Sequence, residues 1–254
     1  MIIAKDITKS FDIQEVLKGI SFTFEKGKTN LIIGKSGAGK TVLLKILVGL
    51  LQPSTGTVYY DDIDICSINK QQLRELRMQI GMLFQGNALF DSMTIEENIR
   101  FPMDMFTKES IQEKRNRVNY CLERVSLEGI NNKYPSEISG GMQKRVGIAR
   151  SIVLSPKYLF CDEPNSGLDP KTAITIDELI SSITKDNEIT TIINTHDMNS
   201  VMEIGENICF LDQGEIAWQG HKDEVLENEN PKLQEFIFAS PFLQKLRSRA
   251  LNAG

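Results

Sequence analysis

The chain has 254 residues, and its content of 41% hydrophobic and 25% charged residues is typical of a globular protein with a sizeable core, in one domain or two. The formal net charge of -5 disfavours nonspecific binding to nucleic acid, which needs a basic face. No apolar run approaches the roughly 20 residues that span a bilayer, and the first residues lack the pattern of a secretion signal. We therefore expect any role at a membrane to depend on a partner protein.

Strand patterns dominate the first third of the chain, where apolar residues alternate or form short runs. Residues 41–50 are the exception and predict a helix, because Leu44, Leu47 and Val48 share one helical face. A turn is expected at residues 53–56, where Pro and Gly flank Ser and Thr. The predicted strands cover residues 2–4, 16–24, 29–33, 57–60 and 79–84.

The middle of the chain changes to a helical and more charged pattern over residues 94–131, which predicts a helical insertion. Strand patterns then return, with helical patterns between them. Such alternation predicts βαβ units and therefore an α/β fold with a parallel sheet. The later strands are expected at residues 158–161, 190–193, 207–211 and 216–218.

A glycine-rich segment follows the strand at residues 29–33 and precedes the predicted helix. It reads Gly34-Lys35-Ser36-Gly37-Ala38-Gly39-Lys40-Thr41, and we call it the phosphate loop. Glycines allow backbone N–H groups to surround phosphates, and the following helix points its positive end at the same anion. Lys40 is expected to reach the β- and γ-phosphates and Thr41 to bind Mg²⁺. The flanking strand and helix disfavour the alternative of a chance glycine-rich turn.

Two acidic residues, Asp162 and Glu163, follow the apolar strand at residues 158–161. Open parallel sheets place their ligands at the carboxyl ends of their strands. We expect Asp162 to hold Mg²⁺ through water and Glu163 to position the attacking water, since phosphoryl transfer depends on orientation and charge stabilisation. A solvated acidic loop is the alternative, and it would be favoured without the phosphate loop.

The most informative residues lie between these two motifs and read Ile138-Ser139-Gly140-Gly141-Met142; we call them the Ser-Gly-Gly segment. With them, residues 2–220 resemble the ATP-binding cassette (ABC) family, the ATPase subunits that drive membrane transporters. The resemblance implies a P-loop NTPase core with a parallel sheet, an antiparallel β subdomain and an α-helical insertion. Ile138 and Met142 replace the usual leucine and glutamine. On the residues alone, Ser139 could simply cap a helix.

In this family the Ser-Gly-Gly segment binds the γ-phosphate of ATP held by another subunit. The resemblance therefore implies that Ser139, Gly140 and Gly141 bind ATP across a head-to-tail homodimer that encloses two ATP molecules with Mg²⁺. It also implies that the loop at residues 166–169, ending in Asp169, runs between the subunits.

Three further residues take roles only from the resemblance. Gln85 is expected to contact Mg²⁺ and the attacking water, although it could be a polar strand end. His196 is expected to contact the γ-phosphate. Phe11 matches the aromatic residue that stacks on adenine, and a core phenylalanine is equally compatible with the sequence.

The stretch at residues 85–106 is expected to line a groove in which a helix of a membrane permease docks. Its apolar side chains could instead fill the core of the insertion. The residues Leu83-Phe84-Gln85 and Ala88-Leu89-Phe90 resemble the ATPases of lipid-asymmetry and mammalian-cell-entry type transporters. That resemblance implies transport of phospholipid or related lipid between bacterial membranes. The chain would then sit peripherally at the cytoplasmic face of the inner membrane.

A cassette domain over residues 1–227, with a helical subdomain at about residues 86–157, would leave a tail at residues 228–254. The tail is apolar and ends in basic residues. It could pack on the second cassette, bind a small regulatory subunit, touch the membrane surface or fold back on its own domain. The rival to the transporter interpretation is a cassette that acts as a scaffold or assembly ATPase.

Overall fold

Two β-sheets, nine α-helices and a short 3-10 helix at Pro135–Glu137 are present in the part of the chain that the structure, a computed structural model, describes, namely residues 1–238. The strands are β1 (Ile2–Phe11), β2 (Gln14–Phe24), β3 (Thr29–Ile33), β4 (Thr55–Tyr60), β5 (Ile63–Asp64), β6 (Ile80–Leu83), β7 (Tyr158–Asp162), β8 (Thr190–Thr195), β9 (Asn207–Asp212) and β10 (Glu215–Gly220). The helices are α1 (Lys40–Leu47), α2 (Lys70–Met78), α3 (Ile95–Phe106), α4 (Ile111–Arg124), α5 (Gly140–Ile152), α6 (Pro170–Asp186), α7 (Met198–Ile204), α8 (Lys222–Val225) and α9 (Pro231–Ile237).

The larger sheet has the order β10-β9-β3-β8-β7-β6, and its strands are parallel except for β10. Strands β3, β7 and β8 are buried along their whole length, as expected for strands covered on both faces. The register places Ile33 opposite Thr195 and Asp162 opposite Asn194. The phosphate loop, the acidic residues and the segment before His196 therefore leave the sheet at the same edge.

The smaller sheet is antiparallel, with the order β2-β1-β4-β5. Helix α1 lies between the two sheets, and its Leu43, Leu44 and Leu47 are fully buried in a core shared with Phe24 of β2 and Phe160 of β7. This packing fixes the helix that follows the phosphate loop. The predicted α/β class, with a parallel core and an antiparallel β element, is confirmed.

Helices α3, α4 and α5 form the predicted helical insertion and pack on one another through Ile99, Val118 and Ile148, none of which is exposed. Helix α3 begins with a capping box, in which Thr94 Oγ1 accepts from the N–H of Glu97 and the Glu97 carboxylate accepts from the N–H of Thr94. None of the helices within residues 1–238 has the length and apolarity required to traverse a bilayer.

Helix α2 was not predicted, because it is polar and buries only Leu76. The usable signal was at its start, where Asn69 and Gln72 form a capping box. Strand β1 is also longer than predicted, since it continues to Phe11 as a partner of β2.

The described part of the tail folds back on its own domain. Leu233 and Ile237 of α9 are buried in the main core, and the Phe236 ring lies 5.3 Å from the Phe210 ring of β9. The apolar and basic tail positions from Phe242 onward lie outside the described residues. Of the four alternatives for the tail, folding back therefore applies to α9.

Replacing Leu233 by alanine should lower the free energy of unfolding by about 2–5 kcal/mol, because it removes a fully buried side chain. Leu226→Ala is the matched control, since Leu226 is 52% exposed and should cost much less. Urea unfolding of both variants checks this. Equal losses would show that α9 does not belong to the core.

Candidate active site

A cavity of about 780 Å³ opens over the phosphate loop at the edge where the parallel strands end. It gathers residues from the loop, from the ends of β6, β7 and β8, and from the tail helix. Its lining comprises Val16, Lys35, Ser36, Gly37, Gly39, Lys40, Thr41, Val42, Gln85, Glu163, His196 and Phe236. Most residues predicted for catalysis and for phosphate contact are thus brought together.

The phosphate loop has the backbone shape of an anion cradle. Gly34, Gly37 and Gly39 all have positive φ, at 152°, 81° and 103°. A Cβ at Gly39 would lie 2.7 Å from Leu17 Cδ2, whereas a Cβ at Gly37 would meet nothing within 4 Å. The N–H groups of Gly37 and Gly39 have no acceptor within residues 1–238. This open space with free donors fits phosphate oxygens.

Lys40 is the buried cation of the site, with only 8% of its surface exposed. Its Nζ donates to the carbonyls of Gly34 at 2.8 Å and Lys35 at 3.3 Å, and it lies 3.9 Å from Glu163 Oε1. Burial lowers the pKa of Lys40, and the Glu163 and Asp162 carboxylates oppose this shift. The charge is held in place by the backbone before any ligand contributes.

The acidic residues occupy the end of β7. Asp162 is 8% exposed and accepts a hydrogen bond from Asn194 Nδ2 at 3.2 Å. Glu163 has a φ of 50°, an uncommon conformation for a residue with a side chain, and its N–H donates to the Asn194 carbonyl. His196 Nδ1 lies 2.8 Å from Glu163 Oε2. The Glu163 carboxylate therefore lines the cavity, whereas the Asp162 carboxylate is held beside Asn194 of β8.

The residues expected to hold Mg²⁺ suit that ion. Thr41 and Gln85 line the cavity, whereas Asp162 is not among the lining residues and directly precedes Glu163, which is; all three offer oxygen atoms, which Mg²⁺ prefers. Asn194 Oδ1, beside Asp162, is buried with no hydrogen-bond partner in the described chain. This corner therefore has oxygen atoms available for a cation and its waters. When bound, Mg²⁺ would offset the negative charge of the phosphates.

The residues that hold Gln85 in place were missed by sequence reasoning. Lys144 Nζ donates to the Gln85 carbonyl at 2.6 Å, and Arg150 donates to the carbonyls of Asn87 at 2.6 Å and Ala88 at 2.7 Å. Both cations are on α5, the helix that follows Ser139. Burial lowers the pKa of Lys144, and Asp162 and Glu163 oppose this shift. No sequence signal exists for these contacts, because the acceptors are backbone atoms.

The Ser-Gly-Gly segment does not line its own chain's cavity. Ser139 and Gly140 are exposed, and Ser139 Oγ accepts only the N–H of Met142, at 3.3 Å, as a helix cap. A Cβ at Gly140 would meet nothing within 4 Å, whereas one at Gly141 would lie 2.7 Å from Thr172 Cγ2. The segment therefore presents an open helix N-terminus to its surroundings.

Two other predicted contacts also lie apart from the cavity lining. Asp169 caps α6, where it accepts hydrogen bonds from Thr172, and these bonds lower the pKa of Asp169. Phe11 is 45% exposed at the end of β1, with Lys9 Nζ 5.2 Å from its ring centre. The alternative of a core phenylalanine is therefore wrong, and stacking on adenine stays a prediction.

The tail helix reaches the phosphate loop, which the sequence did not indicate. Glu235 Oε1 lies 2.6 Å from Lys35 Nζ, and Phe236 lines the cavity. The ion pair is half-exposed or more on both sides, so its contribution to stability is small. Its position matters more, because it places α9 at the rim of the site.

Comparisons with known proteins agree with this geometry. The family described as ABC transporter matches residues 17–166. The probable ribonucleotide transport ATP-binding protein Mkl of Mycobacterium leprae is 37% identical over 92% of this chain and 67% of its own length. The methionine import ATP-binding protein MetN of Campylobacter jejuni is 37% identical, over 96% of this chain and 77% of its own.

A third relative is the chloroplastic protein TRIGALACTOSYLDIACYLGLYCEROL 3 of Arabidopsis thaliana, 36% identical over 94% of this chain and 74% of its own. The chain spans about two thirds of the length of the Mkl relatives, 67% of one and 64% of three others.

Two solved structures share the fold. The ATP-binding cassette MJ0796, a dimer bound to ADP and phosphate in a post-hydrolysis state, has a TM-score of 0.80 at 31% identity, covering 87% of this chain and 99% of that one. CbiO1 of Clostridium perfringens, described as part of the ABC transporter complex cbiONQ, has a TM-score of 0.84 at 30% identity, covering 97% and 98%. With its phosphate loop, buried Lys40 and acidic strand end, the chain belongs to the ABC transporter family and is an ATPase domain that binds ATP with Mg²⁺.

Proposed function

We propose that two copies of this chain close head to tail around two molecules of Mg-ATP and that this closure drives a membrane permease. One observation carries the proposal: the helix N-terminus at Ser139 and Gly140 is exposed and lies outside the cavity that holds Lys40, Glu163 and His196. A second copy could bring this N-terminus to the phosphates. The MJ0796 cassette, described as a dimer bound to ADP and phosphate, supports the pairing of two copies.

Helix α5 suits a phosphate contact across such an interface. It is 13 residues long, so its aligned peptide dipoles favour an anion at the first turn. The open space at Gly140 would let a phosphate oxygen approach the backbone. Opposite it, the open Gly37 of the other copy would hold the same phosphate group. Each site would then be complete only in the dimer.

Within the closed site, each side chain of the cavity would have a separate task. Lys40 would offset charge on the β- and γ-phosphates, Glu163 would orient the attacking water, and His196 would contact the γ-phosphate. Phosphate oxygens would also compete with Glu163 for Lys40 and His196, both of which lie within 4 Å of its carboxylate. ATP binding and the release of Glu163 for catalysis would therefore be linked.

A permease helix would dock beside Gln85. Exposed apolar side chains occur along residues 84–105: Phe84 and Phe90 are each 41% exposed and Met105 is 56% exposed. Met103, by contrast, is only 3% exposed, so the alternative that this stretch fills the core of the insertion applies to Met103. Exposed aromatic and methionine side chains suit a helix-in-groove contact.

Lys144 and Arg150 of α5 donate hydrogen bonds to the backbone carbonyls of Gln85 and Asn87. Through these bonds, α5 would connect the docked permease helix to the Ser-Gly-Gly segment. The tail would also lie near the dimer interface, because α9 is at the rim of the site, where a second copy would approach. We propose residues 228–254 as a contact for the second copy or for a small regulatory subunit.

The proposed cargo is phospholipid or a related lipid. Support comes from the resemblance of residues 83–90 to lipid-transporter ATPases and from the relative named for the glycolipid trigalactosyldiacylglycerol. Other relatives are named for ribonucleotide transport and methionine import.

Glu163→Gln should abolish steady-state ATPase turnover, because an amide cannot accept a proton from the attacking water. ATP binding should survive, so the variant should form a stable dimer in Mg-ATP that dissociates when ATP is removed. Size-exclusion chromatography with light scattering checks the dimer. Glu188→Gln, at an exposed acid that does not line the cavity, is the control. Unchanged turnover in Glu163→Gln would contradict the assigned role.

The cargo is tested with the chain purified together with its permease in detergent, with no phospholipid supplied. Phospholipid should co-purify, as identified by mass spectrometry, and added phospholipid should raise the ATPase rate. Methionine and ribonucleotides should leave the rate unchanged. Stimulation by either of these instead would overturn the lipid assignment, and failure of any permease to co-purify would favour the scaffold alternative.

A further inference from the structure

Three buried polar side chains form a cluster beneath the active site. Asp177 of α6 is 2% exposed, Ser200 of α7 is fully buried, and Asn165 in the loop after β7 is 9% exposed. Asn165 Nδ2 donates to Ser200 Oγ at 2.9 Å. Burial has the largest effect on the pKa of Asp177 and raises it, whereas hydrogen bonding from Ser200 and Asn165 to the carboxylate lowers it. We call these residues the Asp177 cluster.

The cluster joins three segments that carry proposed active-site residues. Asn165 is two positions after Glu163, and Ser200 is four positions after His196. Asp177 lies on the helix that Asp169 caps. A bond between Asn165 and Ser200 therefore sets the separation of the segments bearing Glu163 and His196, whose side chains lie 2.8 Å apart.

Holding a carboxylate in this position costs stability. Asp177 Oδ1 and Asn165 Oδ1 are both buried without a hydrogen-bond partner in the part of the chain that the structure describes. Burial raises the pKa of Asp177 to about 6, and the carboxylates of Asp197 and Glu203 raise it further. Burial raises the pKa of Cys161 of β7, and the Asp177 carboxylate contributes to the same shift.

An apolar residue would suit this face of α6 better. The buried residues on either side of Asp177, Ile176 and Ile180, belong to the main core. A buried carboxylate in such a setting breaks the local pattern, and such exceptions concentrate where a protein's function requires them. The geometry of the cluster indicates what that requirement is.

We infer that Asp177 is a positioning residue for ATP hydrolysis: it anchors Asn165 and Ser200, which in turn hold Glu163 and His196 in register. The inference rests on the roles proposed above for Glu163 and His196. Asp177 does not reach the cavity itself, so its loss should affect the chemical step more than the binding of ATP.

The test compares Asp177→Leu, Asp177→Asn and Ser200→Ala with the full-length wild-type chain. Asp177→Leu should lower kcat on the order of tenfold, since small misplacements of catalytic groups are costly, while the Kd for ATP stays within about twofold. Asp177→Asn keeps an acceptor oxygen of the same shape and should retain most of kcat. Ser200→Ala should lower kcat in the same direction as Asp177→Leu. Glu178→Leu, at an exposed neighbour on α6, is the control.

Stability provides the second readout. A carboxylate whose pKa is raised on folding contributes stability below its unfolded pKa of about 4 and loses that contribution as the pH rises through about 6. Asp177→Asn should therefore have a higher thermal midpoint than wild type at pH 8 and a smaller advantage at pH 5. Asp177→Leu should not fall below the wild-type midpoint at pH 8, because it removes a buried carboxylate that has no cationic partner among the causes of its pKa shift and whose Oδ1 has no hydrogen-bond partner in the described chain.

Wild-type kcat in Asp177→Leu would overturn the inference. Loss of kcat together with a lowered thermal midpoint in both Asp177 variants would overturn it as well, because the cluster would then be structural only. Glu163→Gln is assayed in parallel: if it retains turnover, the proposed function fails, whatever the Asp177 variants show.

Discussion

Parallel strands that end at one sheet edge determine where every charged group of the site can lie. Strands β3, β7 and β8 are fully buried, so the polar residues that the site needs can appear only where these strands stop. Lys40, Asp162 and Glu163 are concentrated there, each at least partly buried. Opposite charges at this distance compensate one another's desolvation, which makes a cluster of this density tolerable in the folded chain.

Helix α5 gives this edge a connection to the surface. Its first turn presents Ser139 outward, and its later residues Lys144 and Arg150 hold the backbone of the loop that begins at Gln85. A ligand at the helix N-terminus and a partner at the loop would therefore act on one rigid element. Coupling of this kind requires that each partner binds more tightly to one of two arrangements. The contacts of α5 indicate that this helix is the element whose position would differ between the two arrangements.

The sequence was sufficient to locate the strands and motifs that depend on a local pattern of residues. The β3 strand was predicted to the residue, and the phosphate loop and Asp162-Glu163 lie where the alternation of strands and helices indicated. It missed α2, which is polar and buries only Leu76, and it missed every contact made through backbone carbonyls, such as that of Lys144. It also could not place Glu235 beside Lys35, because 200 positions separate them and no motif links them. Such contacts depend on tertiary packing alone.

The central claim is that each copy completes the other's active site, and mixing two inactive variants tests it most directly. Lys40→Ala and Ser139→Ala should each be inactive alone. A mixed dimer of the two should contain one site with both changes and one intact site, so an equal mixture should recover about a quarter of the wild-type ATPase rate, given two equivalent sites per C₂ dimer. A mixture that stays as inactive as either variant, although mixed dimers form, would contradict the account.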